Sequence, residues 1–253
     1  NNIIKAAKKA IDDGKTKYTM GSGILELKEA VCTKIKRDNS LDYSVNQIVC
    51  STGAKQSLMQ LLLCILNEND EIIMPAPYWV SYYQMIKFAK AKPIIINTRL
   101  ENNFKITSEE LKNVITKKTK AFLINSPSNP TGSVYSKNEL KELSKILQKH
   151  PNIIVVSDEI YEHINFTESH ISIGSFLCTK NQVVTVNGLS KGFAMTGWRL
   201  GYLGAPKNIA DACTKIQGQF TSGTCSITQR AAIAALDENP AFTKIMNEKK
   251  FSY

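Results

Sequence analysis

One lysine and one arginine lie in a glycine-containing segment whose residue types could form a covalent bond to a carbonyl compound. The segment runs from Gly188 to Gly201 after the strand-like residues 183–186, and it places Lys191 eight positions before Arg199. A lysine that loses its proton among neighbouring cations can attack a carbonyl group and form a Schiff base. A solvated lysine in an ordinary strand-to-helix loop has the same local pattern, so the rest of the chain must decide between them.

Polar or aromatic side chains also follow other strand-like segments. Asp158 comes at the end of the apolar residues 153–157, where an aspartate must be solvated, paired or used in chemistry. The residues 125–132 follow another strand and by themselves indicate a turn. Trp79 follows residues 71–74, at the kind of strand end where ligands bind in α/β sheets, although core packing is the commoner role of a tryptophan.

A further segment has the features of an anion site. The strand-like residues 48–51 lead into the small residues of 52–57, and an apolar helix is predicted over 58–66. Free amide groups and the helix dipole at such a helix start favour a phosphate. The spacing of a Walker loop is absent. Gly21 and Gly23 do not make a dinucleotide fingerprint, because a third glycine and a preceding strand are missing.

Strand-like and helix-like segments alternate along the chain, and this order must position the polar strand ends. Strands are predicted over 48–51, 71–74, 93–97, 121–125, 153–157, 183–186 and 201–205. Helices are predicted over about 3–14, 22–38, 58–66, 108–115, 136–148, 206–217 and 224–236, with Ser22 as the cap of the second. The alternation implies a mostly parallel sheet that is covered by helices on both faces.

The composition favours an ordinary globular protein over a nucleic-acid-binding or membrane protein. The 253 residues carry a formal net charge of +10, but the lysines are scattered over helix-like segments and indicate solvated faces. No apolar run reaches about 20 residues, and no secretory signal opens the chain. The cysteines show no CxxC pair and are expected in apolar surroundings, and the histidines are dispersed. We therefore expect no metal site and a reducing cytoplasm.

Several motifs together resemble those of the class I aminotransferases of the pyridoxal-phosphate fold-type I family. The similarity is closest to the bacterial-type aspartate aminotransferases, and the motifs follow the family order over nearly the whole chain. The matching residues are Lys17–Thr19, Gly53–Gln56, Pro77–Tyr82, Asn125–Gly132, Ser157–Glu162, and Ser190–Lys191 through Trp198–Tyr202.

The resemblance implies pyridoxal 5′-phosphate as cofactor and gives catalytic roles to three residues. Lys191 would form a Schiff base with the cofactor and later move the proton between the substrate α-carbon and the cofactor. Asp158 would pair with the pyridine nitrogen and keep it protonated, which makes the ring an electron sink. Tyr161, together with Asn129, would hydrogen-bond the phenolic oxygen.

The resemblance also implies residues that bind the phosphate, the ring and the substrate. Trp79 would stack on the ring, and Tyr18 would reach the phosphate of the neighbouring subunit in a homodimer. Lys55 would lie beside the distal carboxylate of the substrate, which Trp79 and Asn129 would also contact. Ala54 and Lys55, with Arg199, would hold the phosphate, and Gly53 and Ser190 are also implied to bind the cofactor.

The fold implied by the family is an α/β three-layer sandwich with a mostly parallel seven-stranded sheet. Residues 1–236 would form the large cofactor-binding domain. Residues 237–253 would begin the connection to a small C-terminal domain, whose arginine grips the substrate α-carboxylate and is missing from this sequence. Two positions depart from the family pattern: Gly188 stands where a phosphate-binding serine is frequent, and Met20 stands where proline is usual.

The function implied is transfer of an amino group between a dicarboxylic amino acid, aspartate foremost, and a 2-oxo acid, 2-oxoglutarate foremost. One alternative is an aminotransferase for aromatic amino acids or prephenate. Another is a pyridoxal-phosphate-binding domain without catalysis, either a truncated remnant or a regulatory domain. No nucleic acid and no membrane is expected as a partner.

Overall fold

Seven strands form a single mixed sheet in this computed structural model, which describes residues 2–167, 170–176 and 181–237. The strands are β1 (Ile48–Ser51), β2 (Glu71–Ala76), β3 (Lys92–Asn97), β4 (Thr119–Asn125), β5 (Ile154–Asp158), β6 (Val183–Gly188) and β7 (Gly201–Gly204). Their order is β1-β7-β6-β5-β4-β2-β3. β1 is antiparallel to β7, whereas β2 is parallel to β3 and β4, and β4 is parallel to β5. The predicted mostly parallel seven-stranded sheet is confirmed.

Eight α-helices are found within the described ranges, together with short 3₁₀ turns. They are α1 (Asn2–Asp12), α2 (Leu25–Asn39), α3 (Ala54–Ile65), α4 (Ser81–Phe88), α5 (Ser108–Val114), α6 (Lys137–Leu147), α7 (Lys207–Phe220) and α8 (Ser226–Leu236). The backbone divides into two compact units. The first contains the residues up to Gln60 and those from Val186 onward, and the second contains Leu61–Thr185.

The second unit has helices on both faces of its strands. Phe122 of β4 and Val155 of β5 belong to one apolar core that also contains Leu111 of α5 and Leu143 of α6. Side chains alternate between the two faces along a strand. Asp158 therefore lies on the opposite face, where it receives a hydrogen bond from α4. The polar end of β5 is thus covered by α4 on one face, and the apolar core with α5 and α6 lies on the other face.

The first unit is built in the same way around β1. Ile48 and Cys50 join an apolar core with residues of α2 and α8. Ser51 points to the other face, where its hydroxyl donates a hydrogen bond of 2.7 Å to Gln217 of α7. Gln217 is fully buried, and its amide nitrogen donates to the carbonyl oxygens of Gly21 and Cys50. One glutamine therefore ties the loop before α2 to the strand.

Five details of the structure differ from the sequence interpretation or limit it. Ser22 does not cap α2, because that helix begins at Leu25 after Ile24, and the Ser22 carbonyl accepts the amide of Cys50 instead. α3 begins at Ala54, four residues before the predicted start, and α4 was not predicted at all. Of the described cysteines only Cys50 and Cys213 are buried, and Cys225 is exposed. Except for Asp237, the predicted connection 237–253 lies outside the described residues.

No helix among the described residues is long and apolar enough to cross a membrane. Most of the scattered lysines lie on solvated faces. Lys9 and Lys207, for example, form exposed pairs with Asp13 and Asp211 one helical turn away. Lys28 and Lys34 of α2, however, are buried, and Lys34 donates a hydrogen bond of 2.8 Å to the Asn39 side chain.

We expect two Gly→Ala substitutions in the first unit to have opposite effects on the free energy of unfolding. A Cβ at Gly201 of β7 would collide with the backbone nitrogen of Ala54, so Gly201→Ala should destabilise the protein by about 2 kcal/mol. A Cβ at Gly218 of α7 would meet open space, so Gly218→Ala should stabilise it by up to about 1 kcal/mol. Urea unfolding of the two variants beside the parent measures both values. Equal effects of the two substitutions would contradict the close approach at Gly201.

Candidate active site

The carboxyl end of β5 carries a buried carboxylate that is held from two directions. Asp158 is only 2% exposed. Its Oδ2 accepts a hydrogen bond of 2.6 Å from the hydroxyl of Tyr82, and its Oδ1 accepts the amide of Ile160 at 3.2 Å. Tyr82 comes from α4, and Ile160 comes from the turn that follows β5. The side chain therefore has a fixed orientation inside the second unit.

Burial controls the proton affinity of this carboxyl group. Loss of hydration raises the pKa of Asp158 to about 6, because the interior disfavours the charged form. The hydrogen bonds from Tyr82 and Ile160 lower the pKa in part, and the charge of Glu159 raises it. Burial likewise raises the pKa of the Tyr82 hydroxyl well above its ordinary value, so Tyr82 acts as a neutral donor. A cation beside Asp158 would favour its ionised form.

Asn125 links Asp158 to the next pair of polar residues. It ends β4 directly opposite Asp158 in the sheet register. Its Nδ2 donates to the Asp158 carbonyl oxygen at 2.9 Å, and its Oδ1 accepts the amide of Asn129 at 2.7 Å. The Asn129 Nδ2 donates to the Tyr161 hydroxyl at 3.2 Å, and partial burial raises the pKa of Tyr161. Three of the predicted site residues, Asn129, Asp158 and Tyr161, are thus joined in one network.

An aromatic pair lies beside this network. Trp79 and Tyr82 pack edge to face with ring centroids 5.3 Å apart. A cleft in the same unit is lined by Pro77, Tyr78, Tyr82 and Asn129, among others. Trp79 is half-buried, so part of its indole remains accessible to a planar ligand.

The start of α3 in the first unit forms a cradle for an anion. Gly53 has a φ of +86°, and a Cβ at this position would collide with the guanidinium group of Arg199. Ala54 begins the helix, where the first amide groups have no acceptor within the helix. Gly201 of β7 pairs with Ser51 of β1, and a Cβ at Gly201 would strike the backbone nitrogen of Ala54. The structure therefore brings together Gly53, Ala54 and Arg199, three of the predicted cofactor-binding residues.

The lysine segment is closed by its own backbone. The amide of Leu189 donates to the carbonyl of Leu200, and the amide of Met195 donates to the carbonyl of Leu189. These contacts close residues 190–194 into a loop that carries Lys191 and Ser190, both half-buried. The Arg199 Nη1 donates to the Thr196 carbonyl at 2.8 Å. Lys55 is exposed in the first turn of α3, and the Tyr18 side chain is 99% exposed.

Three polar residues of these arrangements received no role from the sequence. Tyr82 and Asn125 lie inside recognised motifs, and the only signal for Asn125 was its place at the end of a strand next to that of Asp158. Asn187 is the last residue but one of β6 and is 2% exposed. Its Oδ1 accepts the Gly188 amide at 2.7 Å, and its Nδ2 is a buried donor without a partner among the described residues. A buried amide at a strand end is the signal that could have found it.

The comparison with protein families matches residues 1–250 to the family described as aminotransferase class I and II. The chain belongs to this family. Among curated relatives, a probable aspartate/prephenate aminotransferase of Rickettsia bellii is 49% identical over 239 residues. A bifunctional aspartate aminotransferase and glutamate/aspartate-prephenate aminotransferase of Petunia hybrida is 46% identical over 235 residues. The match covers 94% of this chain and 60% of the Rickettsia protein, and 92% and 49% for the Petunia protein.

Solved structures of the same kind match the fold. The aspartate aminotransferase of Rhizobium meliloti has a TM-score of 0.95 and 39% identity, and the match covers 98% of this chain and 62% of that one. The aspartate aminotransferase of Thermus thermophilus with maleate has a TM-score of 0.93 and 39% identity, with 98% and 64% covered. The chain thus spans about three fifths of the length of these proteins.

Each arrangement fits one part of pyridoxal phosphate, the cofactor implied by the family. The cradle at Gly53 combines helix amides with the Arg199 guanidinium, which suits a phosphate group. Asp158 is a buried carboxylate that would pair with a protonated pyridine nitrogen. The Asn129 and Tyr161 pair offers donors for a phenolic oxygen. Each demand of the cofactor is met by residues of the expected chemistry.

We expect Tyr82→Phe to destabilise the protein in a pH-dependent manner. The folded-state pKa of Asp158 lies above its ordinary value, so ionisation costs stability as the pH rises from 4 through 6, and nothing is lost below that range. Without the Tyr82 hydroxyl this cost grows, by about 1.5–3 kcal/mol for a hydrogen bond to a charged group. The difference between variant and parent should therefore be larger at pH 8 than at pH 4 in denaturant unfolding.

Tyr83→Phe is the matched control, since Tyr83 lies next to Tyr82 in α4 and is only half-buried. It should cause no pH-dependent difference. In an Asp158→Asn background the pH dependence of Tyr82→Phe should disappear. A loss that is the same at pH 4 and pH 8 would show that the hydroxyl does not act on the ionised carboxylate.

Proposed function

We propose that residues 1–236 are the large cofactor-binding domain of a pyridoxal-phosphate-dependent aminotransferase. Residues 237–253 then begin the connection to a small domain. Family membership supports the reaction class. The observation that carries the proposal is the buried Asp158, held by Tyr82 at 2.6 Å where a cationic ring nitrogen would stabilise its charge.

Residues of the second unit would orient the ring and set its electron demand. When bound, the cofactor supplies a conjugated ring that accepts the electron pair released at the α-carbon of the amino acid. Asp158 would hold the proton on the ring nitrogen. Asn129 and Tyr161 would donate to the phenolic oxygen, and Trp79 would pack on the ring face. The mutual hydrogen bond of Asn129 and Tyr161 supports this pairing, since it holds both groups in place before the ring binds.

Residues of the first unit would bind the phosphate and carry the reactive amine. Gly53, Ala54 and Arg199 would hold the phosphate, with Lys55 and Ser190 as further contacts. This assignment is supported by the close approach of the Gly53 backbone to the Arg199 guanidinium, since a Cβ at Gly53 would collide with that group. Lys191 would bind the cofactor aldehyde through its amine and then move the proton at the substrate α-carbon.

The substrate class proposed is a dicarboxylic amino acid, with aspartate as amino donor and 2-oxoglutarate as acceptor. Lys55, Trp79 and Asn129 would contact it, and exposed Lys55 would bind the distal carboxylate. The names of the relatives from Rickettsia bellii and Petunia hybrida include both aspartate and prephenate. Prephenate is also a dicarboxylate, so a second acceptor of this type would use the same cation.

We also propose a cytoplasmic homodimer. Tyr18 is the residue that supports the dimer, because its ring is 99% exposed and contributes to no core of its own unit. The loop around it is nevertheless held in place: the Gln229 side chain donates to the Thr19 hydroxyl at 2.9 Å and accepts the Ile24 amide at 2.8 Å. A fixed loop with a projecting aromatic ring suits a contact with the phosphate bound by a second copy of the chain. The cytoplasm is proposed from the cysteines, which show no CxxC pair.

The first test of the proposal is covalent capture of the cofactor. Protein incubated with pyridoxal phosphate should show a visible absorbance band, and borohydride should bleach it and leave the label on the peptide that contains Lys191. Lys191→Ala should lose the stable label while it retains non-covalent binding. Lys207→Ala, which removes an exposed lysine paired with Asp211, should label as the parent does. A label that persists in Lys191→Ala would refute the assignment.

The proposed dicarboxylate preference depends on Lys55, and steady-state kinetics of Lys55 variants test it. Lys55→Ser should depress kcat/KM for aspartate and glutamate by a factor that corresponds to about 1.5–3 kcal/mol, the value of a charge-assisted hydrogen bond. Phenylalanine should be affected far less, and Lys55→Arg should restore part of the loss. An equal loss on aspartate and phenylalanine would assign Lys55 to the cofactor phosphate and not to the substrate.

A further inference from the structure

A second acidic residue lies directly after Asp158 and is as deeply buried, yet it has no role in the proposed chemistry. Glu159 is 1% exposed. Its Oε1 accepts hydrogen bonds from the hydroxyls of Ser157 at 2.8 Å and Ser172 at 2.5 Å, and its Oε2 lies 2.9 Å from the His170 Nε2. We call Ser157, Glu159, His170 and Ser172 the Glu159 cluster.

The cluster connects two parts of the second unit that are separate in sequence. Ser157 and Glu159 lie at the end of β5, whereas His170 and Ser172 lie after the intervening segment, next to the 3₁₀ turn Ile173–Phe176. A buried carboxylate is strongly unfavourable without hydrogen-bonding partners. Loss of any of the three contacts would therefore be costly, which keeps the partner side chains in place. The returning chain is therefore tied to the strand end at the point where Asp158 and Tyr161 are placed.

The cluster acts on the opposite side of the backbone from Asp158. Neighbouring residues at a strand end point to opposite faces, and Glu159 faces the same way as Ser157. The backbone turns directly after Glu159. The amide of Glu162 donates to the Glu159 carbonyl at 3.0 Å, and the amide of Ile164 donates to the Tyr161 carbonyl at 2.7 Å. The turn thus carries the amide of Ile160 to Asp158 and the hydroxyl of Tyr161 to Asn129.

The sequence regarded the histidines as too dispersed for a metal site, yet His170 lies beside two acidic residues in this region. Glu159, Glu162 and His170 each bring one ligand atom within 4.8 Å of the others. Both Glu159 oxygens, however, already interact with the serine hydroxyls and the imidazole. The geometry is that of a hydrogen-bonded anchor.

We infer that Glu159 is a positioning residue of the proposed cofactor site: its carboxylate anchors His170 and Ser172 to the end of β5 and thereby holds Asp158 and Tyr161 in the orientation that the cofactor requires. This inference rests on the proposed function. It gives Glu159 no contact with cofactor or substrate. Its effect passes through the backbone of residues 158–162.

The test compares two buried acids of the same unit. Glu159→Ala removes the anchor, Glu159→Gln keeps its size without its charge, and Glu71→Gln changes a buried glutamate at the start of β2 that accepts from Thr116 at 2.6 Å. All three substitutions should lower the free energy of unfolding. Only the Glu159 variants should weaken pyridoxal-phosphate binding, by about tenfold or more for Glu159→Ala, since hydrogen bonds to a charged group are lost. Binding is measured by absorbance titration well below the unfolding transition.

Two further readouts separate positioning from a general loss of stability. The pH midpoint of the bound cofactor's visible absorbance should shift in Glu159→Ala and stay in place in Glu71→Gln, because it reports the Tyr161 and Asn129 donors. Hydrogen exchange of the cofactor-free protein should accelerate at the amides of Ile160, Glu162 and Ile164 in the Glu159 variants alone. Ser172→Ala removes a single donor and should show the same changes at about threefold in affinity if Glu159→Ala does not fold.

Each outcome decides the inference. Weaker binding, a shifted pH midpoint and faster exchange confined to the Glu159 and Ser172 variants support it. Parent-like affinity and exchange in these variants overturn it while the proposed function stands. A parent protein that does not bind pyridoxal phosphate overturns both, and the exchange data then show separately whether the anchor holds the turn.

Discussion

The buried carboxylate of Asp158 is the constraint on which the second unit of this protein depends. An ionised carboxylate inside a protein is expensive unless donors and a cation compensate it. α4 supplies the Tyr82 hydroxyl, and the turn after β5 supplies the Ile160 amide. These donors lower the cost without removing it, as the raised pKa of Asp158 shows. A cation beside Asp158 would offset the cost that remains, and this is the basis of the role proposed for Asp158.

In the proposed site, the first unit binds negative charge by different means. No buried acid is needed there, because the amides at the start of α3 and the Arg199 guanidinium would supply the attraction. The limiting factor is space: Gly53 and Gly201 both lie where a Cβ would meet another group. Anion binding by main chain requires small residues, whereas binding of a ring cation requires a desolvated side chain with its own supporting hydrogen bonds.

Both arrangements depend on residues that touch no ligand in the proposed reaction. Gln217 and Gln229 are fully buried and hold the loop that carries Tyr18, and Glu159 ties the segment after β5 to the strand end. Each places a polar group in the interior, at a cost that only complete hydrogen bonding can offset. Such networks hold functional loops in a single conformation, which an apolar core would do less specifically.

The sequence by itself determined the seven strands along the chain and seven of the eight described helices, because burial on one or both faces leaves a periodic pattern along the chain. It also indicated Lys191, Asp158, Asn129 and Arg199, whose motifs match the family. Only the tertiary structure decided which helix covers Asp158, since α4 is short and its eight residues carry too little periodic signal. The same holds for Ser22, whose predicted capping role failed when a strand amide took its carbonyl. The roles of Tyr82, Asn125 and Glu159 could not be predicted from the sequence. Asp158 lies 33 or more residues from Tyr82 and Asn125, and Ser172 reaches Glu159 from a later loop. The local sequence pattern gives no signal for such contacts.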